Sequence, residues 1–140
     1  MPAKKFPTPK KQGEWAEQAF ILKALGLDII VSRPVGDSSP YDAMCDGPIT
    51  HWPNRVQVKS VTHRRPDGFY CAHAAHFSHL SKAYTAEDID FLVLYVIPEE
   101  VWYIIPVEEL TGADTICVRP KCSKSRSRFE PFREAWDLLL

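Results

Sequence analysis

The chain has no excess of charge of either sign: 17 Lys and Arg stand against 18 Asp and Glu, a formal net charge of −1. That balance removes the simplest argument for a nucleic-acid partner, a positive field over the whole domain, so any attraction to phosphate has to be local. There is also no uncharged apolar run long enough to span a bilayer, and the early lysines and prolines are not followed by an apolar targeting core. The expectation is therefore a cytoplasmic protein with no membrane partner. Internal repeats are absent too. Cysteine is scarce, with Cys45, Cys71, Cys117 and Cys122 the full set. Without a secretory signal an even count argues little for disulfides, and reduced thiols are expected.

What is present suits one domain with a sizeable core: 140 residues, 45% hydrophobic and 11% aromatic. The charge is unevenly spread, with lysines at the start, acids over residues 87–109 and a basic stretch at 121–128. Residues 1–11, rich in proline and lysine, bury too little apolar surface to fold alone and read as a flexible basic arm, leaving 12–140 as the domain. From Gln12 to Leu25 the apolar residues recur at helical spacing, and Gly26 follows where left-handed backbone often ends a helix. Short β-branched or apolar runs at 28–33, 41–45, 55–61, 69–74, 90–97, 101–105 and 115–119 read as strands, with 90–97 and 101–105 a buried hairpin. Residues 107–110 suit a short helix, 131–140 a terminal one, and 76–87 stays open between loop and helix. The fold class expected is α/β or α+β, a mixed β-sheet flanked by helices.

The run Arg55 to Val61 alternates, so Gln57 and Lys59 project from one face of a strand, with Val56 and Val58 on the other. Upstream stand Asp42 and a helix carrying Glu14 and Glu17, three residues apart and so on one side. Phosphodiester hydrolysis needs a hard cation to neutralise the phosphoryl oxygens, an activated water, and a cationic group near the attacking oxygen. Mg²⁺ takes one or two carboxylates, other oxygens and water, so Glu17, Asp42 and the Gln57 side-chain carbonyl form a suitable partial shell, and Lys59 supplies the cationic group.

Gly13-Glu14-Trp15-Ala16-Glu17, Gly36-Asp37, Tyr41-Asp42 and Arg55-Val56-Gln57-Val58-Lys59-Ser60 together resemble the PD-(D/E)xK nuclease superfamily, in particular its group I intron homing endonuclease branch. The likeness extends over about 12–140, through Asp90-Phe91, Tyr103-Ile104-Ile105-Pro106-Val107 and Phe132-Arg133-Glu134-Ala135-Trp136. It implies a restriction-endonuclease-like fold and a Mg²⁺-dependent DNA endonuclease, with Mn²⁺ as a substitute. Glu17 and Asp42 would help hold the metal, Gln57 would stand at the second acid of the motif, and Lys59 would be the catalytic lysine. The family's helix glutamate matches Glu17 rather than Glu14. Two positions depart from the pattern: the usual acid is Gln57, which removes one negative charge, and the usual Pro-Asp is Tyr41-Asp42 with Pro40 one place early.

Lys121, Lys124, Arg126 and Arg128, interleaved with small hydroxyl residues, suit DNA backbone contacts that position a duplex without reading its bases. Cys71, His73, His76 and His79 have the donor types of a zinc site, but at a spacing tied to no zinc fold, and read as incidental. A chain this short suggests a homo-oligomer on a long duplex target. The alternative to a nuclease is a nuclease-like module that binds DNA or protein without cutting, with Gln57 marking a lost metal.

Overall fold

The computed structural model describes residues 4–75, 82–121 and 127–140. The one α-helix among the described residues, α1, runs Pro9–Leu25, three residues earlier than the apolar periodicity begins. The start is set by local chemistry: Thr8 Oγ1 accepts the Lys11 N–H at 3.1 Å, and Pro9 occupies a first-turn position where its missing donor costs nothing. Residues 9–11 of the expected arm thus belong to the helix, and Phe6 packs on Trp15 with ring centroids 5.5 Å apart. At the other end Gly26 stays right-handed at φ −65°, and the left-handed residue is Asp28, φ 59°.

Five strands form the main sheet in the order β1 (Ile30–Ser32), β2 (Ala43–Asp46), β3 (Pro53–Val61), β5 (Phe91–Val96), β6 (Val101–Pro106). The sheet is mixed: β3 and β5 are parallel, and the other pairs antiparallel. The β5–β6 hairpin is the one expected, turning through Ile97–Glu99 with Glu100 in left-handed backbone. A second, two-stranded sheet pairs β4 (Tyr70–His73) with β7 (Thr115–Val118).

The two faces of the main sheet are covered by unlike layers. On one, Ala16, Phe20 and Ala24 of α1 pack on Val56, Val58, Val93, Trp102 and Ile104, with Trp136 and Leu139 from the C-terminus. On the other, Tyr70, Ile116 and Val118 of the small sheet bury Val61, Leu92, Leu94 and Val96. Alternation along β3 makes this possible, since Val56 and Val58 point to the helix and Gln57, Lys59 and Val61 to the small sheet.

Two expectations are corrected. Residues 131–140 are not one helix but two 3₁₀ turns, Glu130–Phe132 and Trp136–Leu139, separated by extended Arg133 and by Glu134 at φ 53°. The break serves the edge of β6: Glu134 donates its N–H to Trp102 O at 2.7 Å, and its carboxylate accepts from Trp102 N–H at 3.0 Å and Trp136 Nε1 at 2.8 Å. Continuing the helix would leave that edge unpaired. The second concerns Cys71 and Cys117, which are joined as a disulfide. They are facing partners in the β4–β7 register, a proximity that 46 residues of separation conceal in the sequence. Cys45 is a buried free thiol. Among the described residues no helix is long and apolar enough to cross a membrane.

Candidate active site

The site originates in a mismatch of strand lengths. β2 covers β3 only from Pro53 to Val56, so from Gln57 onward β3 has β5 on one side and, among the described residues, no paired strand on the other. The chain arriving at β2 fills the first opening: Asp42 donates its N–H to Val56 O at 2.9 Å, and its Oδ2 accepts the Val58 N–H at 2.8 Å. A backbone donor that would otherwise lose its ladder partner thus holds the Asp42 carboxylate at the point where the sheet opens.

Asp42 forms a wall common to two recesses. One, of about 700 Å³, is lined by Asp42, Gln57 and Lys59 with Lys82, Tyr84 and Asp88. The other, of about 230 Å³, holds Asp42 beside Glu17 and Arg33 on the helix side. Asp37 and Ser39 belong to both. The four residues singled out from the sequence are therefore gathered around one carboxylate, with Glu17 on one side and Gln57 and Lys59 on the other. Glu14 is not among them; it pairs with Lys11 at 3.4 Å on an exposed face of α1.

The electrostatics are those of a partly dried pair of acids. Burial raises the Asp42 pKa, against the lowering influence of the Val58 N–H and of Lys59 and Arg33. Burial also raises Glu17, and the charge of Asp42 adds to it, while Arg33 opposes through a 2.9 Å ion pair. Lys59 is pulled down by burial and partly restored by Asp42. Its Nζ lies 5.7 Å from the Tyr84 ring centre, and burial with the charges of Asp42 and Asp88 pushes the Tyr84 phenol up to about 12.

This donor set fits a hard divalent cation. Two carboxylates are brought together in a place that disfavours both their charges, and Mg²⁺ needs no more than one or two carboxylates, a neutral oxygen such as the Gln57 carbonyl, and water. Among the described residues no group of three or more His, Cys, Asp or Glu is placed to hold a metal, as follows from a glutamine at the third position. Cys71 is in a disulfide and His76 and His79 lie outside the described residues, so no zinc site is formed by the residues described.

Of the basic stretch, Lys124 and Arg126 also lie outside the described residues. Lys121 pairs with Glu99 at 2.9 Å. Arg128 is engaged within the fold: its Nη2 donates to Glu109 O, Leu110 O and Thr111 Oγ1 at 2.6, 3.0 and 2.9 Å, bracing the Val107–Leu110 turn. Sequence reasoning missed Arg33, Ser39, Lys82, Tyr84 and Asp88. All five come from loops without periodicity; the turn-rich segment 34–40 was the one signal, and it marks a loop without saying what the loop faces.

A family model described as PD-(D/E)XK endonuclease matches residues 8–139. Among solved structures, a bacterial homing endonuclease, I-Ssp6803I, is 30% identical over 95% of this chain and 93% of its own, with a TM-score of 0.81. A structure described as MepB is 14% identical over 87% of this chain and 94% of its own, with a TM-score of 0.47, a likeness on which nothing rests. No curated protein matches the chain.

Proposed function

The chain belongs to the PD-(D/E)XK endonuclease family, and from that premise we propose that it is a divalent-metal-dependent endonuclease cutting double-stranded DNA at the open edge of β3. One observation carries the reading: Glu17 from α1 and Gln57 and Lys59 from β3 meet around the Asp42 carboxylate, where β2 ends and the sheet opens. Glu17, Asp42 and the Gln57 carbonyl are the groups that would hold Mg²⁺, with Mn²⁺ as a substitute. The cation, when bound, supplies charge neutralisation at the scissile phosphate.

The rest is the work of the chain's own residues. The Val58 N–H keeps Asp42 from rotating away, so the carboxylate is ready before substrate arrives. Lys59, on the same face as Gln57 and in the same recess, orients the attacking water or takes its proton. Burial favours this role, since it lowers the Lys59 pKa and makes the neutral amine more accessible. Gln57 contributes an oxygen and no charge, which leaves cation binding to two acids and makes it weaker than a three-acid site would be. A duplex has two strands to cut, and two copies of a chain with one such site supply two reactions, so we read the working form as a homo-oligomer.

The test is incubation of supercoiled plasmid with the protein in Mg²⁺, in EDTA, and in Mg²⁺ with Lys59→Ala. Nicking or linearisation confined to wild type in Mg²⁺ is expected. Equal cutting under all three conditions refutes the assignment. DNA retention without cutting under any of them points to the non-cleaving module.

A further inference from the structure

Beyond the end of β3 a third recess, of about 250 Å³, is lined by Arg64, Gly68, Tyr70, Glu99, Arg119 and Lys121. Its charge balance is three cations to one carboxylate, and that carboxylate is already engaged on both oxygens. Glu99 Oε1 accepts from the Tyr70 hydroxyl at 2.9 Å, and Oε2 from Lys121 Nζ at 2.9 Å, with the Glu99 side chain only 9% exposed. Among the described residues neither Arg64 nor Arg119 makes a hydrogen bond or a close ion pair; Glu99 feels the charge of Arg64 only through space, and the guanidinium of Arg119 lies against Gly68 and 5.7 Å from the Phe69 ring centre.

The position of Arg119 is built by the loop opposite. Arg65 and Phe69 close a tight turn, with Arg65 N–H donating to Phe69 O at 2.8 Å and Gly68 N–H to Arg65 O at 2.9 Å. Gly68 sits in this turn at φ +91°, and a Cβ there would lie 2.9 Å from Arg119 Nε. The missing side chain is what lets the half-buried guanidinium pass over the turn and reach the recess. A planar cation lying over a glycine and a ring, in the same recess as a second arginine that makes no hydrogen bond, is an arrangement suited to bidentate recognition of an anion.

The recess also stands in a definite relation to the active site. Gln57, Lys59 and Val61 share one face of β3, and Val61 and Tyr70 share the core on that face. Lys59 is level with Leu94 in the parallel register, and β5 ends two residues later at Val96, leading into the turn that carries Glu99. At ~3.3 Å per strand residue, the strand end is roughly 7 Å along the strand from the level of the lysine, about two nucleotides of helical rise at ~3.4 Å each.

We propose that this recess, through Arg64 and Arg119 with Lys121 at its rim, binds a backbone phosphate of the DNA strand engaged by the active site, giving the domain a second, sequence-independent grip. The inference rests on the nuclease reading above. It explains how a domain with no net positive charge holds a polyanion: the attraction is concentrated where three cations face a single carboxylate.

The test is binding of a fluorescently labelled duplex by the full chain in EDTA, over a salt series, for wild type, Arg64→Ala, Arg119→Ala, Gly68→Ala and, as control on the opposite face of the sheet, Lys23→Ala. Each arginine substitution is expected to weaken binding about 3- to 10-fold at ~0.1 M salt and to lower the slope of log affinity against log salt by about one, equally for unrelated sequences. Gly68→Ala should mimic Arg119→Ala by displacing its guanidinium, and Lys23→Ala should change neither quantity. Thermal midpoints are recorded for all variants; should Arg119→Ala fail to fold, the exposed Arg64→Ala decides the matter alone. Unchanged slopes in the folded arginine variants overturn the proposal while leaving the plasmid result untouched. Absence of any DNA binding by the wild type overturns both. Inorganic phosphate is titrated in parallel: an arginine-dependent response to phosphate with unchanged DNA slopes means a free-anion site and also overturns the proposal.

Discussion

Replacing Asp42 with asparagine should make the protein more stable without metal and less stable with it. Two effects oppose in the metal-free state. The bond from Val58 N–H to Asp42 Oδ2, 2.8 Å long, is charge-assisted, and an amide oxygen replaces it with a neutral bond weaker by roughly 1 kcal/mol. Against this, the substitution removes a carboxylate that burial disfavours and that repels Glu17. The direction of the Asp42 pKa decides the sign: it is raised although the Val58 bond and the nearby cations pull it down, so the ionised form is the disfavoured one. Asp42→Asn should therefore gain a few tenths to about 1 kcal/mol in EDTA at neutral pH. At ~2.1 cal/mol/K of unfolding entropy per residue and 140 residues, 1 kcal/mol corresponds to roughly 3–4 °C in Tm. A cation at ~100 times its Kd adds about 2.7 kcal/mol, roughly 9 °C, to the wild type and little to the variant. Differential scanning calorimetry in EDTA and in Mg²⁺ reads both, and the order of the two midpoints should reverse between buffers. A variant less stable than wild type in EDTA, or equally stabilised by Mg²⁺, refutes the account of Asp42 as a strained metal ligand.

The same carboxyls set a pH dependence. Because the folded pKa values of Glu17 and Asp42 are raised, the metal-free protein binds more protons than its unfolded chain and should lose stability as pH rises through those raised values. Metal-dependent stabilisation should do the opposite and vanish as pH falls through them; urea titrations with and without Mg²⁺ from pH 4 to 8 would contradict this if the two trends ran together. Lys59→Met should slow single-turnover cleavage about 10²- to 10⁴-fold, the usual range for a proton-transfer group, with duplex affinity altered less than about threefold. Glu17→Ala should abolish Mg²⁺-dependent cutting whereas Glu14→Ala, which removes an exposed pair with Lys11, leaves it within about twofold; equal losses in the two would transfer the ligand role to the helix as a whole. Gly47→Ala should destabilise by more than about 2 kcal/mol in urea, since a Cβ there meets the backbone carbonyls of Leu139 and Leu140, which cannot swing aside as a side chain could.

The strand pattern and the motif residues were legible in the chain for a physical reason: both are local. Alternation in Arg55–Val61 places Gln57 and Lys59 on one face whatever surrounds the strand, and the apolar runs of β5 and β6 announce buried strands by composition alone. The preference for Glu17 over Glu14 was legible only as a position in a pattern; in space Glu17 lines the recess beside Asp42 while Glu14 pairs with Lys11. The apolar content of 131–140 suggested a helix, and nothing local in it reveals that Glu134 is needed at the edge of β6. Facing of Cys71 and Cys117 depends on a register between strands far apart in sequence.

By itself, then, the sequence determined the α+β class, the parity of β3 and the residue types available for phosphodiester chemistry, because each is set within a few residues by steric period and side-chain chemistry. Only the tertiary structure decided that β2 pairs with β3 no further than Val56, that Asp42 takes the donor β3 would otherwise leave unpaired, and that Glu17 and Lys59 therefore reach the same carboxylate from opposite sides of the sheet. Those are consequences of strand lengths and register, which arise from long-range packing and have no period in the sequence.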